Sequence, residues 1–151
     1  MSKELLVSKI REGTVIDHIK AGKGRKVLDF LGIDDSYPEI VILLMNVDSK
    51  KIKKKDILKL SNKFLKQDEV DKIALIAPNA TGNVIKNFKV VDKMSIKIPE
   101  TIEGILKCPN PKCVSNADEP LKTKFMVEKE EPVSLRCFYC ERLMDLKDII
   151  R

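Results

Sequence analysis

Apolar and polar positions alternate through GTVIDHIK, residues 13–20, placing Thr14, Ile16 and His18 on one face and Val15, Asp17 and Ile19 on the other. That period of two predicts a β-strand. In AGKGRKVLDFLGI the apolar Val27, Leu28 and Leu31 recur at i, i+1 and i+4, and Gly32 stands where a helix C-cap falls. The pattern predicts a short helix over 24–31. The continuous apolar run EIVILLMNV, residues 39–47, follows Pro38 and is too short for most helices, so it predicts a buried strand. In KDILKLSNKFL, residues 55–65, Ile57, Leu60 and Phe64 fit a helix, while Leu58 and Leu60 around Lys59 fit a strand. The strand is the favoured reading. KQDEVDKIALIAP predicts a helix: Asp68, Glu69 and Asp71 crowd its first turn, Val70, Ile73, Ala74 and Ala77 repeat at helical spacing, and Pro78 ends it. NVIKNFKVVDK predicts a hairpin turning about Lys86-Asn87.

Taken in order, residues 14–93 give β-α-β-β-α-β with one additional strand. This is the ferredoxin-like order, an α+β fold with an antiparallel sheet and both helices on one face. MSIKIPETIEG reads as a connection. Beyond it the composition changes, because all four cysteines and four of the seven prolines follow residue 107. A small β-rich second domain is expected there.

The net charge of +6 is localised. Residues 1–50 carry eight basic and eight acidic side chains, residues 101–151 carry nine of each, and residues 51–100 carry twelve lysines against six acids. A positive middle third suggests an anionic partner, a nucleotide, a nucleic acid or an acidic protein. The run KKIKKK, residues 50–55, also fits a solvated turn whose lysines discourage edge pairing. No apolar run reaches the roughly 20 residues that span a bilayer, and MSKELLVSKIREG lacks the apolar stretch of a secretory signal, so a soluble cytoplasmic chain is expected.

Cys108-x4-Cys113 and Cys137-x2-Cys140 form two close pairs on either side of a β-rich spacer. Four thiolates so spaced suit tetrahedral ligation of one metal ion. Zinc is the default and iron in a rubredoxin-like site the alternative, although Val114 and Glu141 stand where knuckle glycines usually follow. Disulfides conflict with a cytoplasmic chain. Four protein ligands leave no open coordination position, so the metal is expected to hold a fold together.

Signs of catalysis are absent from the motifs: there is no GxSxG, no P-loop and no GxGxxG after a strand. His18 is the single histidine, and on a regular strand the adjacent Asp17 points to the opposite face, so the two do not form part of a hydrolase triad unless the strand ends there. Lys59, Lys86, Lys89 and Lys93 lie on or beside predicted strands. Grouped near Asp17 and His18 they would hold a triphosphate, with the aspartate accepting ribose hydroxyls. A zinc-ribbon nucleic-acid-binding protein is the rival reading, opposed by the neutral cysteine segment and by only seven aromatic residues.

Three motifs together carry a resemblance: GTVIDHI, then APNATGNVI followed by NFKVVDK, and finally CPNPKCVSNADEP with CFYC. In order and spacing they resemble the aspartate carbamoyltransferase regulatory chain family. The resemblance implies a noncatalytic allosteric subunit in pyrimidine biosynthesis, binding CTP and ATP in residues 1–97. It implies a linker over 98–103 and a zinc domain over 104–151 that docks on the catalytic chain. It also implies one structural Zn2+ per chain on Cys108, Cys113, Cys137 and Cys140, and a regulatory homodimer joined through the N-terminal domain. The family assembly contains two catalytic trimers and three regulatory dimers. For the nucleotide site it implies Asp17 toward the ribose, His18 near the phosphates, Lys59 at base and ribose, and Lys93 at the phosphates. Asn83, Ile85 and Val90 would line the pocket, with Val7 and Ile10 at its base end. Gly82 stands where the family often has a larger apolar residue, and Phe88 where an aromatic hydroxyl can occur.

Overall fold

A computed structural model of the chain describes residues 9–117, 121–130 and 132–149. The chain divides into two units, Met1–Ile96 and Lys97–Arg151. The first contains β1 (Gly13–Lys20), α1 (Gly24–Phe30), β2 (Val41–Ser49), β3 (Lys53–Ser61), α2 (Gln67–Ile76), β4 (Thr81–Lys86) and β5 (Lys89–Ser95). Its sheet order is β2-β3-β1-β4-β5, with every neighbouring pair antiparallel. Without β5 this is the ferredoxin-like arrangement, and β5 extends one edge.

The core forms on one face of that sheet. Ile16, Ile19, Leu58 and Leu60 are fully buried together with Val27 of α1 and Ile73 and Ala74 of α2. Each such side chain contributes about 1.5–3 kcal/mol relative to exposure, enough to decide the ambiguous segment. Residues 55–61 lie in β3 because alternation sends Leu58 and Leu60 into the core and leaves Lys59 for the opposite face. Among the described residues, two buried side chains of the core face, Thr14 and Asp56, are not apolar. Thr14 donates from its hydroxyl to the Lys63 carbonyl at 2.6 Å. Asp56, completely buried, accepts from the backbone N–H groups of Gly22 and Gly24 through Oδ2 and of Asn46 through Oδ1.

The regular alternation expected for β1 fails at His18. The β1–β3 register shifts between Ile16 and Ile19, and His18 takes φ +58°. This is a β-bulge, one residue more on β1 than on β3, and it brings both Ile16 and Ile19 to the core face. The expectation that Asp17 and Ile19 share a face is therefore corrected. Similar shifts occur in β2 between Leu44 and Val47 and in β4–β5 between Val84 and Ile85. The β4–β5 turn is centred on Asn87-Phe88, one residue beyond the expected position, and both residues have positive φ, 51° and 64°. Those signs match a type I′ hairpin turn.

The second unit holds β6 (Thr101–Glu103), β7 (Lys124–Glu130), β8 (Val133–Cys137), β9 (Leu143–Asp145) and α3 (Leu146–Ile149). These strands form one antiparallel sheet in sequence order around Ile102, Phe125, Leu135 and Met144. Part of the stretch expected as a connection is thus structured: Thr101–Glu103 pairs with β7 as an edge strand.

Candidate functional site

The face of the first sheet opposite the core carries a cavity of about 280 Å³, lined by Lys9, Ile10, Val15, Asp17, Lys59, Asn83, Ile85, Phe88, Val90 and Lys93. Its volume lies near the lower end for small-molecule pockets, roughly 300–1,000 Å³. Strand register explains how residues distant in sequence meet. Lys59 pairs with Val15, Val15 with Asn83, and Asn83 with Lys93, so one row crosses β3, β1, β4 and β5 on a single face. Lys59 and Lys93 end that row three strand spacings apart, roughly 14 Å between backbones. Lys59 is only 5% exposed, and its ammonium has no ion pair among the described residues. Removing a cation from water without a counter-charge is costly, so this site favours an anion that supplies one.

Asp17 occupies the next position along β1. Its Oδ1 accepts from the His18 backbone N–H at 2.6 Å and from the Lys55 ammonium at 2.9 Å. Oδ2 has no partner among the described residues and remains available to a hydroxyl donor. Asn83 donates its amide to the Val15 carbonyl at 3.3 Å, leaving its side-chain oxygen as an acceptor. The β4–β5 bulge matters here as well: Ile85 pairs with Val90 and Val84 with Asp92, leaving Val91 unopposed. Val90 and Lys93, three residues apart, consequently both line the cavity.

Of the nine residues expected to bind nucleotide, Ile10, Asp17, Lys59, Asn83, Ile85, Val90 and Lys93 converge on this cavity. Val7 lies outside the described residues. His18 is beside the cavity and not in its lining, with Nδ1 3.3 Å from the Thr81 hydroxyl and 4.0 Å from Asp17 Oδ1. Lys86 and Lys89 are not in the lining either; the Lys86 ammonium sits 5.7 Å from the centroid of the Phe64 ring. Gly82 turns the other way. A Cβ there would lie 2.9 Å from the Met94 side chain, so the space beside Gly82 is taken by Met94 and not by the cavity. Lys9, Val15 and Phe88 are lining residues that the motifs did not assign. Val15 was recoverable, being two residues from Asp17 on one strand face, whereas nothing in the sequence marked Lys9.

In the second unit Cys108 and Cys113 lie on the β6–β7 connection, Cys137 ends β8, and Cys140 lies in the following turn. Asn116 donates to the carbonyls of Cys108 and Asn110 at 2.9 and 2.8 Å and so fixes the first loop. All four sulfurs fall within 4.8 Å of one another, with Cys108–Cys140 at 3.8 Å and Cys113–Cys137 at 3.7 Å. A tetrahedron with metal–sulfur bonds of about 2.3 Å has sulfur–sulfur edges of about 3.8 Å. The cluster therefore fits a four-thiolate metal ion, and the cysteines are not paired as disulfides. Burial pushes the Cys108 thiol up to about 12, so its ionisation calls for a cation in the cluster. At Cys140 burial is outweighed by hydrogen bonds from the Arg142 backbone and the Asn110 side chain, which hold it down to about 7. Glu141 supplies the positive φ, 61°, that a knuckle glycine would.

Fold and sites together define a two-domain metal-binding chain whose ferredoxin-like unit carries a cleft suited to an anionic ligand. Residues 5–97 match the family model for the aspartate carbamoyltransferase regulatory chain, allosteric domain, and residues 100–150 the model for its metal binding domain. The chain is 55% identical over 148 residues to the aspartate carbamoyltransferase regulatory chain of Pyrococcus horikoshii, with 97% of each chain covered. It is 52% identical over 148 residues to that of Pyrococcus abyssi, again with 97% of each covered. With the Methanothermobacter thermautotrophicus chain of the same name it shares 47% identity over 146 residues, 97% of this chain and 93% of the relative. The chain belongs to the aspartate carbamoyltransferase regulatory chain family. It is a noncatalytic regulatory chain with an allosteric domain and a metal-binding domain.

Proposed function

We propose that CTP and ATP compete for the N-terminal cavity and regulate aspartate carbamoyltransferase in pyrimidine biosynthesis from there. The observation that carries this reading is the meeting of two lysines, a half-engaged aspartate and an apolar wall on one sheet face. Lys93 supplies charge for the phosphates, Lys59 a donor to base and ribose, Asp17 Oδ2 a ribose acceptor, and Ile10, Ile85 and Val90 a surface for the base. Each effector shifts the enzyme by binding one of its global states better than the other, a coupling of about 1–3 kcal/mol in typical systems.

One zinc ion on the four cysteines would hold the second unit rigid, and that unit would dock on the catalytic chain in the cytoplasm. The chain would also pair with itself. Edge strand β2 supports this, since Ile40 and Met45 are 66% and 46% exposed beside an unpaired backbone edge.

The test is equilibrium binding of CTP to the purified chain, with ATP and a short DNA duplex as competitors at two salt concentrations. Displacement by ATP but not by DNA is expected. Lys93→Ala should weaken both nucleotides about tenfold, the scale of one charge-assisted hydrogen bond. Unchanged affinity for either nucleotide would refute the shared phosphate contact, and salt-sensitive DNA binding without CTP binding would refute the reading itself.

A further inference from the structure

Thr14, Asp56, Lys59 and Ser115 are the buried polar side chains among the described residues. Thr14 and Asp56 bond backbone groups and Lys59 lines the N-terminal cavity, but Ser115, the one in the second unit, meets sulfur. It is 3% exposed, and its hydroxyl has one hydrogen-bonding neighbour among the described residues, the equally buried Cys113 Sγ at 3.1 Å. A hydroxyl withdrawn from water without a partner is costly, so alanine would be the cheaper residue here unless the contact with sulfur contributes. The backbone builds that contact. Val114–Asn116 forms a single helical turn that follows directly on the extended Cys113. The Asn116 N–H donates to the Cys113 carbonyl at 2.9 Å and the Ala117 N–H to the Val114 carbonyl at 3.1 Å. The Asn116 side chain ties the same turn to the carbonyls of Cys108 and Asn110. Ser115 is thereby held two residues beyond the sulfur it touches.

We propose that Ser115 is a positioning residue of the metal centre: its hydroxyl donates to the Cys113 thiolate and holds that sulfur on the metal ion. This inference rests on the metal reading of the four cysteines and deepens it. Between a neutral thiol and a hydroxyl either group can donate. A ligating sulfur has lost its proton, so donation runs from Ser115 to Cys113. Four thiolates around one divalent ion leave net negative charge in a site where Cys108, Cys113 and Cys137 are buried. A donor aimed at one sulfur draws off part of that charge, and a donor fixed by its own turn also keeps the sulfur oriented toward the ion. Loss of the hydroxyl should therefore leave Cys113 more electron-rich and the ion easier to remove.

The experiment loads the full chain with cobalt(II), whose thiolate-to-metal charge-transfer band reports electron density on sulfur, and follows metal loss to a competing chelator. Ser115→Ala is expected to move the band to lower energy and to weaken metal retention about tenfold, the low end for an outer partner of a ligand. Ser115→Thr, which keeps the hydroxyl, should restore both. Asn116→Ala, which loosens the turn without touching a sulfur, should weaken retention and leave the band in place. An unmoved band in Ser115→Ala would overturn the proposal and leave Ser115 a packing residue. Equal shifts in the alanine and threonine variants, or an equal shift in Asn116→Ala, would overturn it too. Should Ser115→Ala fail to fold around cobalt, the unaltered chain loaded with cadmium decides: a Ser115 hydroxyl proton that donates to sulfur couples to the cadmium nucleus through the hydrogen bond, and a hydroxyl without that coupling refutes the assignment. If the unaltered chain develops no thiolate-to-cobalt band, it is the metal reading that has failed, a result separable from failure of Ser115 alone.

Discussion

Replacing Asp56 with alanine should remove a large part of the stability of the first unit. The carboxylate is fully buried and accepts three backbone N–H groups: Gly22 at 3.1 Å, Gly24 at 2.9 Å and Asn46 at 3.0 Å. It ties the start of α1 and the β2 bulge to β3. Helix α1 has no acid in its first turn and no side-chain cap hydrogen bond at Lys23, and Asp56 is the side chain that accepts from the N–H of its first residue, Gly24. An orphaned buried donor costs about 1–3 kcal/mol, and of the three bonds that to Gly24 is the fully buried one. Counting Gly24 in full and the part-buried Gly22 and Asn46 at about half gives roughly 2–6 kcal/mol, against total domain stabilities of about 5–15 kcal/mol. Asp56→Asn keeps the shape and one acceptor oxygen and should fall between. Lys55, the preceding residue, points to the other face and holds Asp17, so ligand affinity should decline together with stability. Urea unfolding followed by far-UV circular dichroism gives the magnitude. Amide exchange at Gly22, Gly24 and Asn46 shows whether the named bonds carry it. A loss below about 1 kcal/mol, or unchanged protection at those three amides, would refute the accounting.

Phe88→Gly should stabilise the first unit by about 1 kcal/mol in thermal melts, because an L-residue at φ 64° is strained where glycine is not; it should also weaken nucleotide binding by removing part of the cavity wall. Glu141→Gly should raise the stability of the second unit by a similar amount for the same reason, since Arg136 bonds the Glu141 backbone carbonyl and not its side chain; an unchanged melting point would count against strain there. Glu69 opens α2, where burial works against its charge but the Lys66 N–H and the Lys63 ammonium outweigh that effect and hold its pKa below the ordinary 4.5. Its stabilisation is present above pH 4.5 and lost as pH falls through the lower folded value, so the protection factors of amides in the first turn of α2 should fall on acidification, and Glu69→Gln should abolish that dependence.

Much of the fold could be read from hydrophobic period alone, because Ile16, Leu58, Leu60, Ile73 and Ala74 obey it and are the core. The four cysteines were legible for a different reason: short loops place paired sulfurs together whatever the surrounding topology. Pairing between distant strands was not legible from period. Nothing local to β5 says that Lys93 faces Asn83, or that Asn83 faces Val15; these follow from the sheet order, which the β-α-β-β-α-β sequence implies only as a whole. Asp56 was missed because a buried aspartate within DILKL looks in sequence like the polar edge of a strand. Its partners are backbone groups, and these leave no mark on side-chain pattern.

His18 shows where period misleads most. Between Ile16 and Ile19, Asp17 and His18 oppose the single residue Ile57 on β3, so β1 carries one residue more than regular pairing needs. In an unbulged strand Asp17 and Ile19 would share a face, and one of two unfavourable outcomes would follow: an aspartate in the core or an isoleucine on the cavity side. The extra residue removes that conflict. It takes φ +58°, a conformation that histidine tolerates better than a β-branched residue would, and it lets Asp17 face the cavity while Ile19 is fully buried. The histidine thus does not stand on the strand face that alternation assigned to it. It occupies the inserted position, where its backbone N–H holds one oxygen of Asp17 and leaves the other for a ligand. What resembles half of a catalytic dyad in sequence is, in the fold, a bulge that aims a carboxylate.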